Sequence, residues 1–559
     1  MAQKQSPEKQ VEALLQTIDP SKFADESLRQ TLTVLLNVIE QQQSEIKELR
    51  EENQKLRDEN NRLKGEQGKP EIKSNQSKGF KSNHSSEKER HTPKKHTKSS
   101  KNQSIKVDRT CILDYPASEL PPDAQFKGYE EVIIQDISLL TDNVLFPGKK
   151  NITRLVLEKT YLASLPPGYD GEFDLGIKAL VISLYYGGNM TQGKLLEFLE
   201  NIGISMSAGY LSNLLIKNLG DFEAEYNQVY TSGLESSSWQ HIDQTSARVK
   251  GVNQTTNVIC NPWYTVYSTT AKKDRLSVIG VLQNRQELEY VLNGLTYELL
   301  TSFNVPTKWH NQMKLLPQET VLTELEFNSL LDTYLSKLGS QYRTRVLEAA
   351  AISFYHQQSQ IPVVEFLVCD DAPQFKLITD NLALCWVHEA RHYKKIKSIC
   401  WFLSTNIRQI FRGILGLLPR ISRLQKFPLP QKTKQELKTK FCQLFGTETG
   451  YKQLDERKKL TAAKESELLL VLEYPNLPLH NNPAELAART MVQRRKISYA
   501  TQTSEGTKAW DIFMSLVATT RKLGISFFEY IHDRISLSDK IPELDTIIRS
   551  KFSINPQPL

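Results

Sequence analysis

A heptad repeat across residues 32–64 constrains the fold of this chain more than any other sequence feature. Its two core series are Leu32, Ile39, Ile46, Asn53, Asn60 and Leu35, Gln42, Leu49, Leu56, Leu63. A repeat of this length predicts a helix, and its apolar stripe is typical of a leucine zipper. Asparagine in the first series favours a parallel, in-register dimer. A solitary solvated helix is the alternative, but it would leave the stripe in water.

The basic character of the chain lies in one segment, residues 65–109. This segment holds 12 Lys or Arg and 5 Asp or Glu, so its net charge of +7 equals that of all 559 residues. It contains few apolar side chains, and we therefore expect it to be disordered. Its composition is compatible with a tether beside nucleic acid and equally with a linker that only keeps the chain soluble.

Bulk features limit the classes of protein that this chain can join. Its length exceeds what one core can organise and predicts about three or four modules. No run of 18 apolar residues is present and the first residues lack the apolar core of a signal peptide, so we expect no membrane span and no secretion. The six cysteines are scattered without a CxxC pair, which indicates free thiols in a reducing cytoplasm.

The secondary-structure pattern changes from helical to β near residue 237. Upstream, Thr191 and Ser207 can cap two short helices separated by Gly203, a pair compatible with helix-turn-helix DNA binding and equally with generic helix packing. Downstream, we predict a helix over 342–355 and strands over 239–249, 257–270, 277–282, 363–369 and 382–387. With helices at 400–475 and an acidic helix after them, this order is the one expected of a ribonuclease-H-like α/β sheet.

Three acidic positions follow strand-like runs or begin a helix. Asp243 lies inside or at the end of the first strand, the pair Asp370 and Asp371 ends the apolar strand, and Glu485 lies in the first turn of a predicted helix. If folding brings these acids together, their negative charges repel one another, and bound divalent cations would offset that repulsion. The adjacent basic residues are compatible with a reaction on the phosphates of nucleic acid.

Each acid also has a structural alternative. Asp243 could be satisfied by backbone donors, and the Asp pair could cap the helix after Pro373. Asn482 as N-cap with Pro483 at the first helical position would make Glu485 a capping-box residue. The three acids nevertheless occur in the order and contexts that one active site needs.

The chain resembles a DDE transposase of the insertion-sequence sixty-six type, whose members join an N-terminal leucine zipper to several short motifs. The matching segments here are His241–Thr245, Asp370–Phe375, Cys385–His392, Asn481–Glu485, Arg495–Lys496 and Ser504–Gly506. The resemblance covers roughly residues 160–535. It implies that Asp243, Asp370 and Glu485 are the catalytic acids. Asp370 is preferred as the second acid because a Gly usually follows this acid in relatives and Asp371 occupies that position here, and Asp371 is the alternative.

The resemblance also implies the cofactor. The three acids would hold two Mg²⁺ (or Mn²⁺) ions, since oxygen ligands select these metals. We predict no zinc, because Cys111 alone remains where relatives are cysteine-rich and because Cys385, His388 and His392 lack a fourth ligand. Leu486 replaces an Arg common in relatives. The residues expected to support the acids or contact DNA phosphates are His388, Arg391, Arg489, Arg494, Arg495 and Lys496.

The predicted fold class is α/β, a ribonuclease-H-like mixed sheet with helical insertions, preceded by a coiled coil and a helix-turn-helix-like helical domain. The expected segments are 1–28 (N-terminal), 29–64 (coiled coil), 65–109 (linker), 110–232 (DNA-binding), 233–399 (catalytic core, with an insertion at 283–360), 400–478 (helical insertion), 479–535 (catalytic core) and 536–559 (tail).

The function implied is cleavage of insertion-element ends and joining of the 3′-hydroxyl to target DNA. A non-catalytic DNA-binding relative and a metal-dependent nuclease without strand transfer are the alternatives. Expected partners are element ends, target DNA, a second copy through the coiled coil and accessory proteins, with no membrane. The expected location is the bacterial cytoplasm, at the nucleoid.

Overall fold

The computed structural model describes residues 11, 13–63, 110–111, 142, 152–154, 159–161, 172–284, 287–424 and 430–554. The chain divides into two compact units. The larger comprises Met1–Asn75, Leu165–Leu195 and Ser207–Leu559, and the smaller comprises Gln76–Ser164 and Leu196–Met206. The segment predicted to be disordered, 65–109, lies outside the described residues. The sequence also predicts strands within residues 128–148, and this region, apart from residue 142, lies outside the described residues as well.

The described part of the chain contains nine strands. They are β1 (Ile152–Arg154), β2 (Lys159–Tyr161), β3 (Trp239–Val249), β4 (Val252–Cys260), β5 (Thr265–Thr270), β6 (Glu289–Tyr290), β7 (Leu322–Thr323), β8 (Phe366–Cys369) and β9 (Asn381–Leu384). Strands β1 and β2 pair in the smaller unit, and β6 pairs with β7 in the larger one. The other five strands form the central sheet of the larger unit.

The central sheet is mixed, with the strand order β5-β4-β3-β8-β9. Strand β4 is antiparallel to both β3 and β5, whereas β8 is parallel to β3 and β9 is parallel to β8. Lys250 and Gly251, both with positive φ (47° and 79°), connect β3 to β4 in the two-residue turn that matches strand twist. All four residues of β8 are buried, as expected for a strand covered on both faces.

Helices surround the sheet and form most of the remaining described structure. They are α1 (Glu26–Leu63), α2 (Leu175–Ile182), α3 (Gln192–Asn201), α4 (Ala208–Ile216), α5 (Gly220–Glu235), α6 (Arg275–Leu282), α7 (Gly294–Ser302), α8 (Thr307–Met313), α9 (Glu324–Tyr334), α10 (Ser340–Gln357), α11 (Trp386–Lys395), α12 (Trp401–Leu424), α13 (Gln431–Gly446), α14 (Lys452–Ala462), α15 (Glu465–Leu468), α16 (Asn482–Ser498), α17 (Ser504–Leu523), α18 (Phe527–Ser536) and α19 (Leu544–Ile554). Within the described residues, none of these helices combines the length and apolar character that crossing a bilayer requires.

Helix α17 protects the exposed edge of the sheet at β5. The backbone N–H groups of Thr265 and Tyr267 donate to Thr519 Oγ1 (3.2 Å) and Ser515 Oγ (2.8 Å), and that of Thr269 donates to Asp511 (2.7 Å). Side chains four residues apart on a helix repeat about every 6 Å, which matches alternate residues of a strand. Helix side chains thus satisfy an edge that would otherwise be open to pairing with another strand.

The predicted strand over 277–282 is wrong, because these residues belong to helix α6. Asp274 caps that helix by accepting a hydrogen bond from the Ser277 backbone N–H (2.9 Å). The helix is buried on most sides, so its sequence shows neither helical nor strand periodicity, and its β-branched residues favoured the wrong choice.

Other predictions differ from the structure mainly in where elements end. The strand predicted over 257–270 is the end of β4 and the whole of β5 joined by a turn, and the strand predicted over 382–387 stops at Leu384. The helix predicted over 342–355 lies within α10, and the described residues of the region 400–475 are mostly helical, as expected. Thr191 and Ser207 cap α3 and α4 through the backbone N–H groups of Lys194 and Tyr210.

Helix α1, which carries the heptad, packs one face against the loops that flank α12 and α14. Leu36 is buried there, and the Asn37 side chain donates to Gly450 O (2.6 Å) and accepts from the Lys452 N–H (3.0 Å). Glu40 accepts hydrogen bonds from the Ser398 hydroxyl and the backbone N–H groups of residues 399 and 400, just before α12. This face is distinct from the predicted zipper stripe, whose leucines at positions 35, 49 and 56 are exposed.

Candidate active site

The first two predicted acids lie at the same level of two neighbouring parallel strands. His241 of β3 pairs with Val368 of β8. Continuing this register by two residues places Asp243 opposite Asp370, and adjacent strands lie about 4.8 Å apart. The sheet therefore brings together two carboxylates that are more than a hundred residues apart in the sequence.

The environment of Asp243 favours its protonated form. Burial is the main cause, and the nearby charges of Asp370 and Glu485 add to it, so the pKa of Asp243 rises to about 7. A hydrogen bond from the Gln244 backbone N–H (2.8 Å) acts in the opposite direction. Asp370 and Glu485 thus both lie close enough to Asp243 to raise its pKa, as expected of one charged site.

Asn481 connects the third acid to the strand that carries the first. Its buried side chain donates to Ile242 O (2.7 Å) and accepts from His241 Nδ1 (2.9 Å). Its backbone N–H donates to Cys385 Sγ (3.2 Å). Burial lowers the pKa of His241 to about 3, so the ring is neutral. Because Asn481 Oδ1 is an acceptor, the single ring proton lies on Nδ1. Helix α16, which holds Glu485, therefore begins beside the residue that precedes Asp243.

Glu485 does not close its own helix, so the capping-box alternative is wrong. The residue before α16 is Asn481 rather than Asn482, and no side chain caps the N-terminus of the helix. Instead the Glu485 carboxylate accepts a hydrogen bond from Arg391 (2.9 Å) on α11. His388 Nδ1 lies 3.3 Å from Glu485 Oε1, and Arg391 also bonds His388 Nε2 (3.1 Å). Arg391 and His388 therefore hold the acid from the neighbouring helix.

The donor set fits a hard divalent cation. Glu485 Oε1 is buried and makes no hydrogen bond with any described residue. Asp243 lies among like charges that a cation would neutralise. Asp370 uses one oxygen to accept a hydrogen bond from the Ala372 N–H (3.2 Å). Carboxylate oxygens of this kind are the ligands that Mg²⁺ and Mn²⁺ prefer.

A second cluster of ligand-type atoms overlaps this site. In the described part of the chain, Cys385, His388 and Glu485 each have such an atom within 4.8 Å of the others, whereas the three acids together do not meet that limit. Burial raises the pKa of Cys385 to about 11, and its sulfur already accepts a hydrogen bond from the Asn481 backbone N–H. His392, the other residue considered for zinc, lines a separate groove with Lys395 and Arg457.

Asp371 is engaged in ion pairs that separate its role from that of Asp370. Its carboxylate contacts Lys376 (2.7 Å) and Lys464. Burial alone would raise its pKa, but the hydrogen bonds from the two lysines outweigh it, and the pKa is lowered. Because Asp371 already has two cationic partners, the geometry favours Asp370 as the acid that faces Asp243.

Lys464 joins the end of β8 to helix α11. Besides Asp371, it contacts Glu389 (3.4 Å), which also pairs with Arg457 and accepts a hydrogen bond from Thr461. Lys464 is 8% exposed and Glu389 is 3% exposed, so their charges depend on each other. Glu389 directly follows His388, and this buried network therefore fixes α11 against the strand that ends at Asp370.

A row of amide side chains crosses the sheet beside the acids, and it was not predicted from the sequence. Gln374 donates to Gln244 (2.8 Å), Gln244 donates to Asn257 (2.6 Å), and Asn257 donates to Ser268 O (3.1 Å). The only sequence signal is that Gln244 and Gln374 lie within the matching segments His241–Thr245 and Asp370–Phe375. The row links the loop after Asp370 to β3, β4 and β5.

The predicted basic residues fall into two groups. Arg494 is fully buried, with its guanidinium carbon 4.1 Å from the Tyr185 ring centroid and 4.9 Å from that of Trp510, and it bonds Tyr185 O. The structure contradicts a phosphate contact for Arg494, because aromatic rings enclose its charge. The residues that remain accessible on α16 are Arg489, Arg495 and Lys496.

Comparison with known proteins identifies relatives of this chain. Residues 360–509 match the model of the Transposase IS66 family. The uncharacterized protein y4jO of Sinorhizobium fredii is 28% identical over 323 residues, which are 57% of this chain and 99% of that protein. The family match includes Asp370, the Cys385–His392 segment and Glu485. The resemblance predicted from the motifs is therefore confirmed.

Proposed function

From this relationship to the IS66 transposases, we propose that the chain is a DNA transposase that cleaves the ends of its element and joins the freed 3′-hydroxyl to target DNA. The observation that carries the proposal is the convergence of Asp243, Asp370 and Glu485, which come from two parallel strands and one helix.

The sheet topology supports a ribonuclease-H-like catalytic core. The first strand is central, the second and third extend the sheet on one side with the second antiparallel, and the fourth and fifth extend it in parallel on the other side. Asp243 inside β3 and Asp370 directly after β8 lie on the two neighbouring strands where the strand order changes direction, the place where α/β sheets bind their ligands.

Asp243, Asp370 and Glu485 would hold two Mg²⁺ (or Mn²⁺) ions. Bound there, the ions would supply positive charge that stabilises the attacking and leaving oxygens of a phosphoryl transfer. Arg391 and His388 orient the Glu485 carboxylate, and Asn481 fixes the start of its helix beside β3. The chain's own residues thus prearrange the oxygens, which limits the reorganisation that the reaction requires.

DNA is the proposed substrate, as both element end and target. Arg489, Arg495 and Lys496 follow Glu485 along α16 and would contact backbone phosphates, while Arg391 and His388 support the acid. A second copy of the chain is the proposed partner through the zipper stripe, with accessory proteins as further partners. The proposed setting is the bacterial cytoplasm, at the nucleoid.

A strand-transfer assay with element ends and Mg²⁺ tests the function. We expect Asp243→Asn to abolish cleavage and retain end binding, because the variant keeps the side-chain shape but lacks the charge. Asp380→Asn, which removes an exposed acid just before β9, is the matched control and should retain activity.

The same assay separates the alternatives. Cleaved ends without joined product would identify a nuclease, and end binding without cleavage by the unmodified chain would identify a non-catalytic relative. Undiminished cleavage by Asp243→Asn would remove this residue from the catalytic set.

A further inference from the structure

Tyr499, the residue directly after helix α16, has a strained backbone and an exposed ring. Its φ and ψ are 61° and −63°, and the Ala500 N–H donates to Ser498 O (2.8 Å) across it. These values describe a γ-turn of the rarer, strained hand, which a residue with a large side chain seldom adopts. The side chain is 79% exposed, so no packing within the chain explains the strain. Strain kept without an internal packing benefit points to function.

The turn is held rigidly on the sheet. Thr501 forms a parallel bridge with Val249: the Lys250 N–H donates to Thr501 O (2.9 Å), and the Thr501 N–H donates to Arg248 O (3.2 Å). Helix α16 fixes the other side of the turn. The Tyr499 ring is therefore presented by a β-hairpin and a helix rather than by a long loop.

Two arginines share a crevice with Tyr499, and two lysines lie in the hairpin and the helix that adjoin the turn. Arg248 and Arg495 line the same crevice as Tyr499, and Arg495 Nη1 is buried there without a hydrogen-bond partner among the described residues. Lys250 at the hairpin turn and Lys496 on the last turn of α16 add two more positive charges. These four cations together with Tyr499 are called here the hairpin platform.

Two acids lie near the hairpin platform, and together they offset only part of its charge. Asp511 lies on the floor of the crevice, where its carboxylate accepts hydrogen bonds from the backbone and side chain of Thr269. Glu505 is exposed in the first turn of the next helix. Four cations against these two acids leave a site that attracts a polyanion.

We propose that the hairpin platform binds a strand of DNA, with an unpaired base stacked on Tyr499 and the flanking phosphates against Arg248, Lys250, Arg495 and Lys496. An aromatic face beside a positively charged groove is the combination that binds single-stranded nucleic acid without reading its sequence. Tyr499 comes fourteen positions after Glu485, which corresponds to about 21 Å along the helix, or about six base pairs of duplex. This inference deepens the proposed function and rests on it.

Tyr499→Gly is the sharpest variant, because glycine adopts positive φ without strain and the fold should be at least as stable. The full chain would be titrated with a duplex that has a short single-stranded overhang containing 2-aminopurine, whose fluorescence falls on stacking. We expect Tyr499→Gly to weaken binding roughly 5- to 150-fold and to lose the quenching, while Tyr499→Phe keeps both. Tyr334→Ala, which removes an aromatic residue that is 63% exposed elsewhere, is the control and should change neither.

Unchanged binding and quenching in Tyr499→Gly would overturn the inference, as would an equal loss in Tyr499→Phe, since the hydroxyl and not the ring would then matter. Preferential binding of the same overhang made of RNA would overturn the assignment to DNA. The cleavage assay of Asp243→Asn is scored separately. Loss of binding in Tyr499→Gly with undiminished cleavage in Asp243→Asn would refute the catalytic set and leave the platform standing.

Discussion

At the scale of single residues, the site depends on how Asp243 and Asn481 are placed. The sequence indicated Asp243, Asp370 and Glu485 as candidate catalytic acids, because they lie in a strand, directly after a strand and in the first turn of a helix, respectively. The sequence could not indicate that the Asn481 side chain bonds β3, because an Asn pair before a helix is equally well explained by a helix cap at Asn482. It also placed Arg494 on a DNA-facing surface, because the aromatic residues that enclose it come from distant segments. Contacts across long sequence separations are therefore what the pattern failed to predict.

The raised pKa of Asp243 predicts pH-dependent metal binding. Without metal, the folded chain holds a proton on Asp243 up to about pH 7, so this group's stabilising contribution is present at low pH and is lost as the pH rises through 7. Metal binding must displace that proton. We expect Mg²⁺ affinity to rise up to about tenfold per pH unit below pH 7, as measured by calorimetry. Asp243→Asn should flatten the profile and Asp380→Asn should not; a flat profile in the unmodified chain would contradict this.

Asn481→Ala should destabilise the chain by about 2–4 kcal/mol, because it leaves two buried partners on β3 without a hydrogen bond. Denaturant unfolding measures the change. Asn482→Ala is the matched control, since the side-chain oxygen of Asn482 makes no hydrogen bond with any described residue. Equal effects of the two substitutions would show that Asn481 has no special role in holding α16.

At the scale of elements, the sequence predicted strands more reliably where turn residues bound them. Strand β3 has the predicted bounds of 239–249, because the Lys250-Gly251 turn ends it. Helix α6 was mistaken for a strand because a fully buried segment shows no periodicity. The helical insertion was predicted as a region, but its ion pairs with α11 and the end of β8 were not, since isolated lysines and glutamates usually lie on solvated faces.

Lys464→Ala should reveal the connection between the insertion and the catalytic strand. The substitution removes one of the two cationic partners of the buried Glu389 carboxylate and one of the two cationic partners of Asp371, and we expect a loss of about 1.5–3 kcal/mol in unfolding free energy. Lys459→Ala removes a cation from α14 whose nearest acid, Glu448, is exposed and 3.9 Å away, and it should cost no more than about 0.5 kcal/mol. A comparable small loss in both variants would refute the connection.

At the scale of the whole molecule, helix α1 has one face packed against the same chain and another face exposed to solvent. One face, with Leu36, Asn37 and Glu40, is fixed to the rest of the same chain. The other exposes Leu35, Ile46, Leu49 and Leu56, which a second copy would bury. The heptad predicted the exposed stripe but not the anchored face, whose contacts are polar and depend on a distant part of the chain.

Dimerisation through the stripe predicts that Leu49→Lys combined with Leu56→Lys gives a monomer, since each lysine would meet its like at the seam. Sedimentation at micromolar concentration measures the oligomeric state. Leu325→Lys, at a leucine that is 85% exposed on α9, should leave the dimer intact. A monomeric unmodified chain would contradict the zipper, and a persistent dimer in the double variant would place the interface elsewhere.

The most direct measurement of the central claim is a crystal structure of the full chain soaked with Mn²⁺, with the ions located by anomalous scattering. We expect ions bound by the carboxylates of Asp243, Asp370 and Glu485, with Asp371 still paired to Lys376 and Lys464. Manganese bound instead at Cys385, His388 and Glu485, or no ion contacting Asp243 and Asp370, would contradict it.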